Sequence, residues 1–141
     1  MFTLKTNPDF LNFCSKYILH EKISVTGTNG KTTTAGLIAQ ILEANNKEVI
    51  HNAQGANMLT GIANVFATNV VPSKRYDNCV LESDEAYLSK LYDYMKLDYL
   101  VVTNLFRDQL DRYGELDTTA KKIQSAIDKN KDLVLLLNAD D

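Results

Sequence analysis

Apolar residues in this chain fall into short unbroken runs, separated by stretches where they recur every three or four positions. The runs are Ile23-Ser24-Val25-Thr26, Glu48-Val49-Ile50-His51, Asn78-Cys79-Val80-Leu81, Tyr99-Leu100-Val101-Val102 and Leu133-Val134-Leu135-Leu136-Leu137. Each has the length of a strand. The intervening stretches carry helical spacing. Phe10, Leu11, Cys14 and Ile18 follow Pro8, a residue suited to a first helical position after Asn7. Ala35, Ile38, Ile41 and Leu42 trace one face of a helix from Lys31 to Asn45. Met58, Ile62, Val65 and Phe66 trace another, and Leu88, Leu91, Tyr92 and Met95 a third. Ile123, Ala126 and Ile127 mark a last helix, for which Asp117 is the expected cap.

Strand and helix thus alternate about five times, the signature of an α/β fold. The strands are continuously apolar rather than alternating, so the expectation is a mostly parallel sheet flanked by helices and buried on both faces. Right-handed crossovers leave the carboxyl ends of such strands on one edge, where ligands bind in open sheets. The polar clusters all follow strands: Gly27–Thr33, Asn52–Asn57, Glu82–Glu85, Asn104–Asp111 and Asn138–Asp141. They are expected to meet on that rim. The sequence shows neither an internal repeat nor an interdomain linker.

Composition narrows the field. A chain of 141 residues is the size of one domain. Fifteen Lys and Arg against 18 Asp and Glu give a net charge of −3, which argues against a broadly basic nucleic-acid-binding surface. No apolar run approaches the roughly 20 residues of a membrane-spanning helix. The first residues lack the basic-then-apolar pattern of a signal peptide. Cys14 and Cys79 stand outside any CxxC or Cys/His cluster and read as reduced, buried thiols, with the cytoplasm as the default address.

The chemistry concentrates in Gly27-Thr28-Asn29-Gly30-Lys31-Thr32-Thr33, set between a strand and a helix. In such a loop glycines let backbone N–H groups curl toward phosphate oxygens, and the helix that follows adds its positive dipole end. Lys31 supplies a point charge to the outer phosphates, and the Thr32 hydroxyl can ligate Mg²⁺. The usual spacing puts a glycine where Val25 stands, so the loop is a variant whose first glycine is Gly27. Glu82 follows a buried strand that aims its carboxylate at the same rim, where a hard oxygen ligand can hold Mg²⁺ opposite Thr32. Asp84 and Glu85 suit either that site or the start of a helix, whose dipole favours acids. Lys31 and Glu82 are the residues expected to carry catalysis.

Thr26-Gly27-Thr28-Asn29-Gly30-Lys31-Thr32-Thr33 resembles the nucleotide loop of the Mur ligase family, which also has its first glycine at this place. The block from Asn104 to Glu115 (Asn-Leu-Phe-Arg-Asp-Gln-Leu-Asp-Arg-Tyr-Gly-Glu) is similar to that of the MurT subfamily, the ligase-like subunits of lipid II isoglutaminyl synthases. So are His51-Asn52, Gly55-Ala56-Asn57, Glu82-Ser83-Asp84-Glu85 and Asn138-Ala139-Asp140-Asp141. The resemblance runs from about Pro8 to the last residue. It implies a P-loop-type ATPase domain at 22–141, incomplete on its C-terminal side, behind a helical lead-in at 1–21.

Further implications follow from the same resemblance. Lys31 would contact the β- and γ-phosphates of ATP, Thr32 and Glu82 would hold Mg²⁺, and Asn57 would lie on the substrate and phosphate side. Asp108-Gln109 stands where amino-acid-adding members carry Asp-His, whose His is a second-metal ligand; an amide oxygen is a weaker, neutral donor. Lys121 and Lys122 lie near the place of the family's carbamylated lysine, although a solvated helix face also accounts for them. The implied reaction phosphorylates the D-glutamate α-carboxylate of lipid II, and ammonia from a glutamine amidotransferase partner then gives D-isoglutamine for peptidoglycan. The implied location is the cytoplasm, at the inner membrane face through lipid II. The zinc ribbon and C-terminal domain of that subfamily are not in this sequence, and the isolated chain is expected not to catalyse amidation alone. Three other readings stay open: another Mur-type ligase such as a folylpolyglutamate synthetase, a non-catalytic nucleotide-binding module, and a GTPase. The last rests on the Asn138-x-x-Asp141 spacing but lacks a lysine at position 139.

Overall fold

A computed structural model of the chain describes residues 7–52, 56–105 and 115–140, the side chains of 115 and 116 excepted. The elements alternate as expected. A short helix α1 (Phe10–Ser15) is followed by β1 (Lys22–Thr26), α2 (Lys31–Ala44), β2 (Val49–His51) and α3 (Leu59–Asn69). Then come β3 (Asn78–Glu82), α4 (Glu85–Tyr94), β4 (Tyr99–Val102), α5 (Glu115–Ile127) and β5 (Val134–Leu137). The five strands form one parallel sheet in the order β2-β3-β1-β4-β5.

That order fixes where a ligand can sit. The chain leaves β1 toward β2 on one side and leaves β4 toward β5 on the other, so the order reverses between β1 and β4. Diverging connections open a crevice at the carboxyl ends of such a strand pair. Register brings the ends level: Val25 pairs with Glu82 on one flank of β1, and Thr26 with Val102 on the other.

Alternation along the strands divides the core. Val25 and Val80, with Ile23, Val49 and Val101, face α2 through Ala35 and Ala39. Two alanines one helical turn apart let α2 lie close on the sheet. Cys79, Leu81 and Ile50 point the other way, into a cluster with Phe66 of α3, Leu91 of α4 and Leu11 of α1. Leu100 and Val102 pack with Leu88, Ile123 and Ala126 of α4 and α5.

Four local expectations are corrected. Ile18 lies beyond α1 and forms a single bridge with Tyr76, because the chain turns out of the helix at Lys16 to meet the sheet. Ile41 is 61% exposed; the close approach at Ala35 and Ala39 turns its side of α2 outward. Met58 is an extended, half-exposed residue before α3 rather than part of its apolar stripe. Asp117 is the third residue of α5, where its charge still meets the helix dipole but does not cap.

Burial on both faces holds for β3, all five residues of which are buried, and for the later part of β1. It fails at β5, where Val134, Leu135, Leu136 and Leu137 are 38–64% exposed. An outer strand with apolar side chains and a free line of backbone groups is a template for association. The chain is expected to show a sedimentation coefficient that rises with concentration, and Leu135→Lys with Leu137→Lys to hold it at the monomer value. A wild-type chain that stays monomeric throughout would contradict this.

Both thiols are free and buried, and burial pushes Cys14 upward and Cys79 up to about 12. The thiolate is the reactive form. Ellman's reagent at pH 8 is therefore expected to leave both unmodified in the native chain and to titrate two in denaturant; fast native labelling would show that the core opens.

Candidate functional site

The crevice between β1 and β4 is filled by the loop that joins β1 to α2. Gly27 takes φ +127°, and a Cβ there would come 2.8 Å from the carbonyl oxygen of Asn104. Gly30, with φ +80°, is the left-handed N-cap of α2. The two glycines thus serve different ends: close approach at the first, chain reversal into the helix at the second.

Thr103 and Asn104, just past β4, hold this loop from the side. The Asn104 carbonyl accepts the Thr28 N–H at 2.8 Å, and its Oδ1 accepts the Asn29 N–H at 2.9 Å. Its Nδ2 donates back to the Asn29 carbonyl at 3.0 Å, which also accepts from the Thr103 hydroxyl at 2.7 Å. Two loop amides expected to face phosphate are therefore engaged by protein. The donors left for an anion are those of the first turn of α2, which helix geometry leaves without intrahelical acceptors.

Lys31 opens that turn, and its side chain is only 15% exposed. Its ammonium bends back to the carbonyls of Gly27 and Thr28, the latter at 3.0 Å, and lies 4.0 Å from Glu85 Oε2. Thr32 and Thr33 are exposed at the helix start. An open cavity of about 420 Å³ beside the loop is lined by Asn29, Gly30, Thr103, Asn104, Leu136 and Asn138 among others.

On the opposite flank of β1, Glu82 is 3% exposed at the end of β3. The fully buried Asn52 fixes its backbone in both directions: Oδ1 accepts the Glu82 N–H at 2.7 Å, and Nδ2 donates to the Glu82 carbonyl at 2.8 Å. The same Nδ2 reaches the Ala56 carbonyl at 2.9 Å. Asn57 Nδ2 donates to Glu82 Oε1 at 3.1 Å, and its carbonyl accepts the Asp84 N–H. Among the described residues, Glu82 Oε2 is buried without a hydrogen-bond partner, and so are Glu85 Oε2 and Thr26 Oγ1. Buried polar atoms are nearly always paired, so orphaned carboxylate oxygens mark a place for a cation or a donor beyond the described residues. Among the described residues no three His, Cys, Asp or Glu side chains gather as a metal site. Glu82 fits a hard divalent ion only with hydroxyl, water or phosphate oxygens completing its shell.

Gly27–Thr33 therefore share one rim with Asn57, Glu82 and Glu85. Asp108 and Gln109 lie outside the described residues. Lys121 and Lys122 are exposed on α5. His51 is hydrogen-bonded through Nδ1 to the Val80 carbonyl, and His20 lies 3.7 Å from Asp77 at the other end of the sheet. Asn138 turns on itself, accepting the Asp140 N–H at 3.1 Å. Asn52, Thr103 and Asn104 were given no role from sequence. Asn52 and Asn104 head polar clusters and stand in the family-like blocks, which marks the rim but not the bonds they make; Thr103 offers only its place immediately after β4.

Removing the Asn52 amide strands the Glu82 N–H and two carbonyls. Each orphaned buried group costs roughly 1–3 kcal/mol, so Asn52→Ala is expected to shift the urea midpoint strongly while Asn69→Ala, on an exposed helix end, leaves it in place. Equal midpoints would show that the Asn52 bonds are not formed in solution.

The Mur ligase middle domain family matches residues 25–141. The chain is 44% identical over 137 residues to the lipid II isoglutaminyl synthase (glutamine-hydrolyzing) subunit MurT of Streptococcus pneumoniae, covering 97% of this chain and 30% of that protein. It is 40% identical to the MurT subunit of Staphylococcus aureus over the same shares. A crystal structure of MurF ligase from Thermotoga maritima in complex with ADP aligns with a TM-score of 0.74 at 21% identity, covering 94% of this chain and 32% of that one. The chain spans about a third of the length of the relatives it matches.

Proposed function

The chain belongs to the Mur ligase family, and from that premise we propose that it is the ATP-binding part of a MurT-type ligase subunit acting in peptidoglycan synthesis. In this reading residues 22–141 are the central domain, 1–21 its lead-in, and the loop from Gly27 to Thr33 a variant P-loop. The observation that carries it is the start of α2: a left-handed Gly30 turns the chain so that the helix begins at the carboxyl edge of β1, with its first-turn amides and the Lys31 ammonium beside the loop. The sequence likeness to two MurT subunits supports the choice among Mur ligases.

In this role the first-turn amides of α2 bind phosphate oxygens, and Lys31 leaves the Gly27 and Thr28 carbonyls for the β- and γ-phosphates. Thr32 and Glu82 would hold Mg²⁺, which when bound supplies positive charge between the phosphates and the buried carboxylate. Asn57 holds Glu82 and, with Asp108 and Gln109, faces the substrate. The D-glutamate α-carboxylate of lipid II attacks the γ-phosphorus, ADP leaves, and an acyl phosphate forms. Ammonia from a glutamine amidotransferase partner then attacks the acyl carbon and expels phosphate, leaving D-isoglutamine. The protein's part in these steps is alignment and charge neutralisation along the line of transfer. Among the described residues no helix is long and apolar enough to cross a membrane, in keeping with a cytoplasmic enzyme that meets lipid II at the membrane face.

Titration of the chain with ATP in the presence of Mg²⁺ tests this reading. Saturable binding is expected, with about a hundredfold loss in Lys31→Ala, the size of a charge-assisted phosphate contact. A folded chain that binds neither ATP nor ADP, or a preference for GTP, would overturn it.

A further inference from the structure

Glu85 has no part in the chemistry above, yet its Oε2 is buried, has no hydrogen-bond partner among the described residues, and stands 4.0 Å from the Lys31 ammonium. Its neighbours are otherwise accounted for. Asp84 caps α4 by accepting the Ala86 N–H at 2.8 Å, and Ser83 is bonded to Ser24 across the sheet. A helix start favours an acid at Glu85 through the dipole, but that alone leaves an exposed carboxylate, not an oxygen shut away from water and facing the loop lysine.

The consequence is a charge imbalance. Among the described residues, the Lys31 ammonium faces Glu85, while Glu82 and Asp84 stand on the same rim, so acids outnumber the one lysine. The separation from Glu85 is too long for a hydrogen bond, so Lys31 keeps its two carbonyl bonds and is held by Glu85 through charge alone. A bare nucleoside triphosphate entering this mouth brings about four further negative charges. It must displace Lys31 from the carbonyls and approach an uncompensated carboxylate in a partly desolvated setting, where like charges repel far more than in bulk water. A nucleotide that arrives with a divalent cation brings the missing charge with it.

We propose that Glu85 is a specificity-determining residue that makes the site select the metal-complexed nucleotide over the free one, by holding Lys31 and repelling phosphate that is not neutralised. This rests on the nucleotide reading of the loop and goes beyond it, because that reading needs only Lys31, Thr32 and Glu82.

The test is the ratio of ADP dissociation constants measured in EDTA and in Mg²⁺, for the wild-type chain, Glu85→Gln and Glu85→Asp. Removing one like charge near the phosphates should change affinity by about tenfold. The wild-type ratio is therefore expected to fall about tenfold in Glu85→Gln, mainly through tighter binding in EDTA, and to be kept in Glu85→Asp, which retains the charge. A general loss of structure would weaken binding in both media and leave the ratio unmoved. Binding by the wild type with an unchanged ratio in Glu85→Gln overturns the role of Glu85 and leaves the nucleotide reading intact. No binding by the folded wild-type chain in either medium overturns the nucleotide reading and this inference with it.

Discussion

The two-way pairing between Asn104 and the backbone of Thr28 and Asn29 is the constraint on which the site depends. It ties the end of β4 to the loop after β1, across the point where the strand order reverses. Without it a short glycine-bounded loop would sample many conformations, since glycine loses the most freedom on ordering. With it, Gly27 is pressed against Asn104 and the loop has one course into α2. Preorganisation of this kind lowers the ordering cost when an anion arrives. The same bonds also decide which amides the anion can use, because those of Thr28 and Asn29 are already engaged.

A second knot, from Asn52 to Glu82, does for the carboxylate what Asn104 does for the loop. A buried acid at a strand end would ordinarily relax toward water. Asn52 holds both backbone groups of Glu82, and Asn57 holds one carboxylate oxygen, so the other stays directed and, among the described residues, unpaired. An unsatisfied atom of this sort is a cost in the folded chain, and such costs gather where a protein meets a ligand. The two knots flank β1, one on each side, and set the spacing between the lysine and the acids.

Much of this was legible in the sequence, for reasons that particular residues make clear. Unbroken apolar runs such as Asn78–Leu81 announce a strand with no solvent face, and β3 is buried throughout. The Gly27–Thr33 loop was legible because positive φ at Gly27 and Gly30 leaves a trace in composition. Asn52 and Asn104 left no such trace: an asparagine after a strand looks the same whether it caps a turn or ties two elements 75 residues apart. Ile41 misled because helical periodicity fixes a face but not how much of it the sheet covers, and Ile18 because the spacing does not say where the helix ends. At β5 the pattern Leu133–Leu137 correctly gave a strand and wrongly implied cover, since apolar content records what a segment can bury and not what lies against it.

The exposed strand and the polar rim are not independent. Leu136 and Leu137 line the same 420 Å³ cavity as Asn29, Gly30 and Asn104, so the apolar face of β5 reaches the edge of the loop between β1 and α2. Lys31 and Glu82 are not among the residues that line it, and the Lys31 ammonium turns instead toward Glu85, on the β3 side of the loop. Cover over β5 would narrow the cavity and lower the local dielectric, which strengthens the hydrogen bonds by which Thr103 and Asn104 hold Asn29. The edge strand thus bears on how firmly the loop is held, while the charges at Lys31 are set on the other flank of β1.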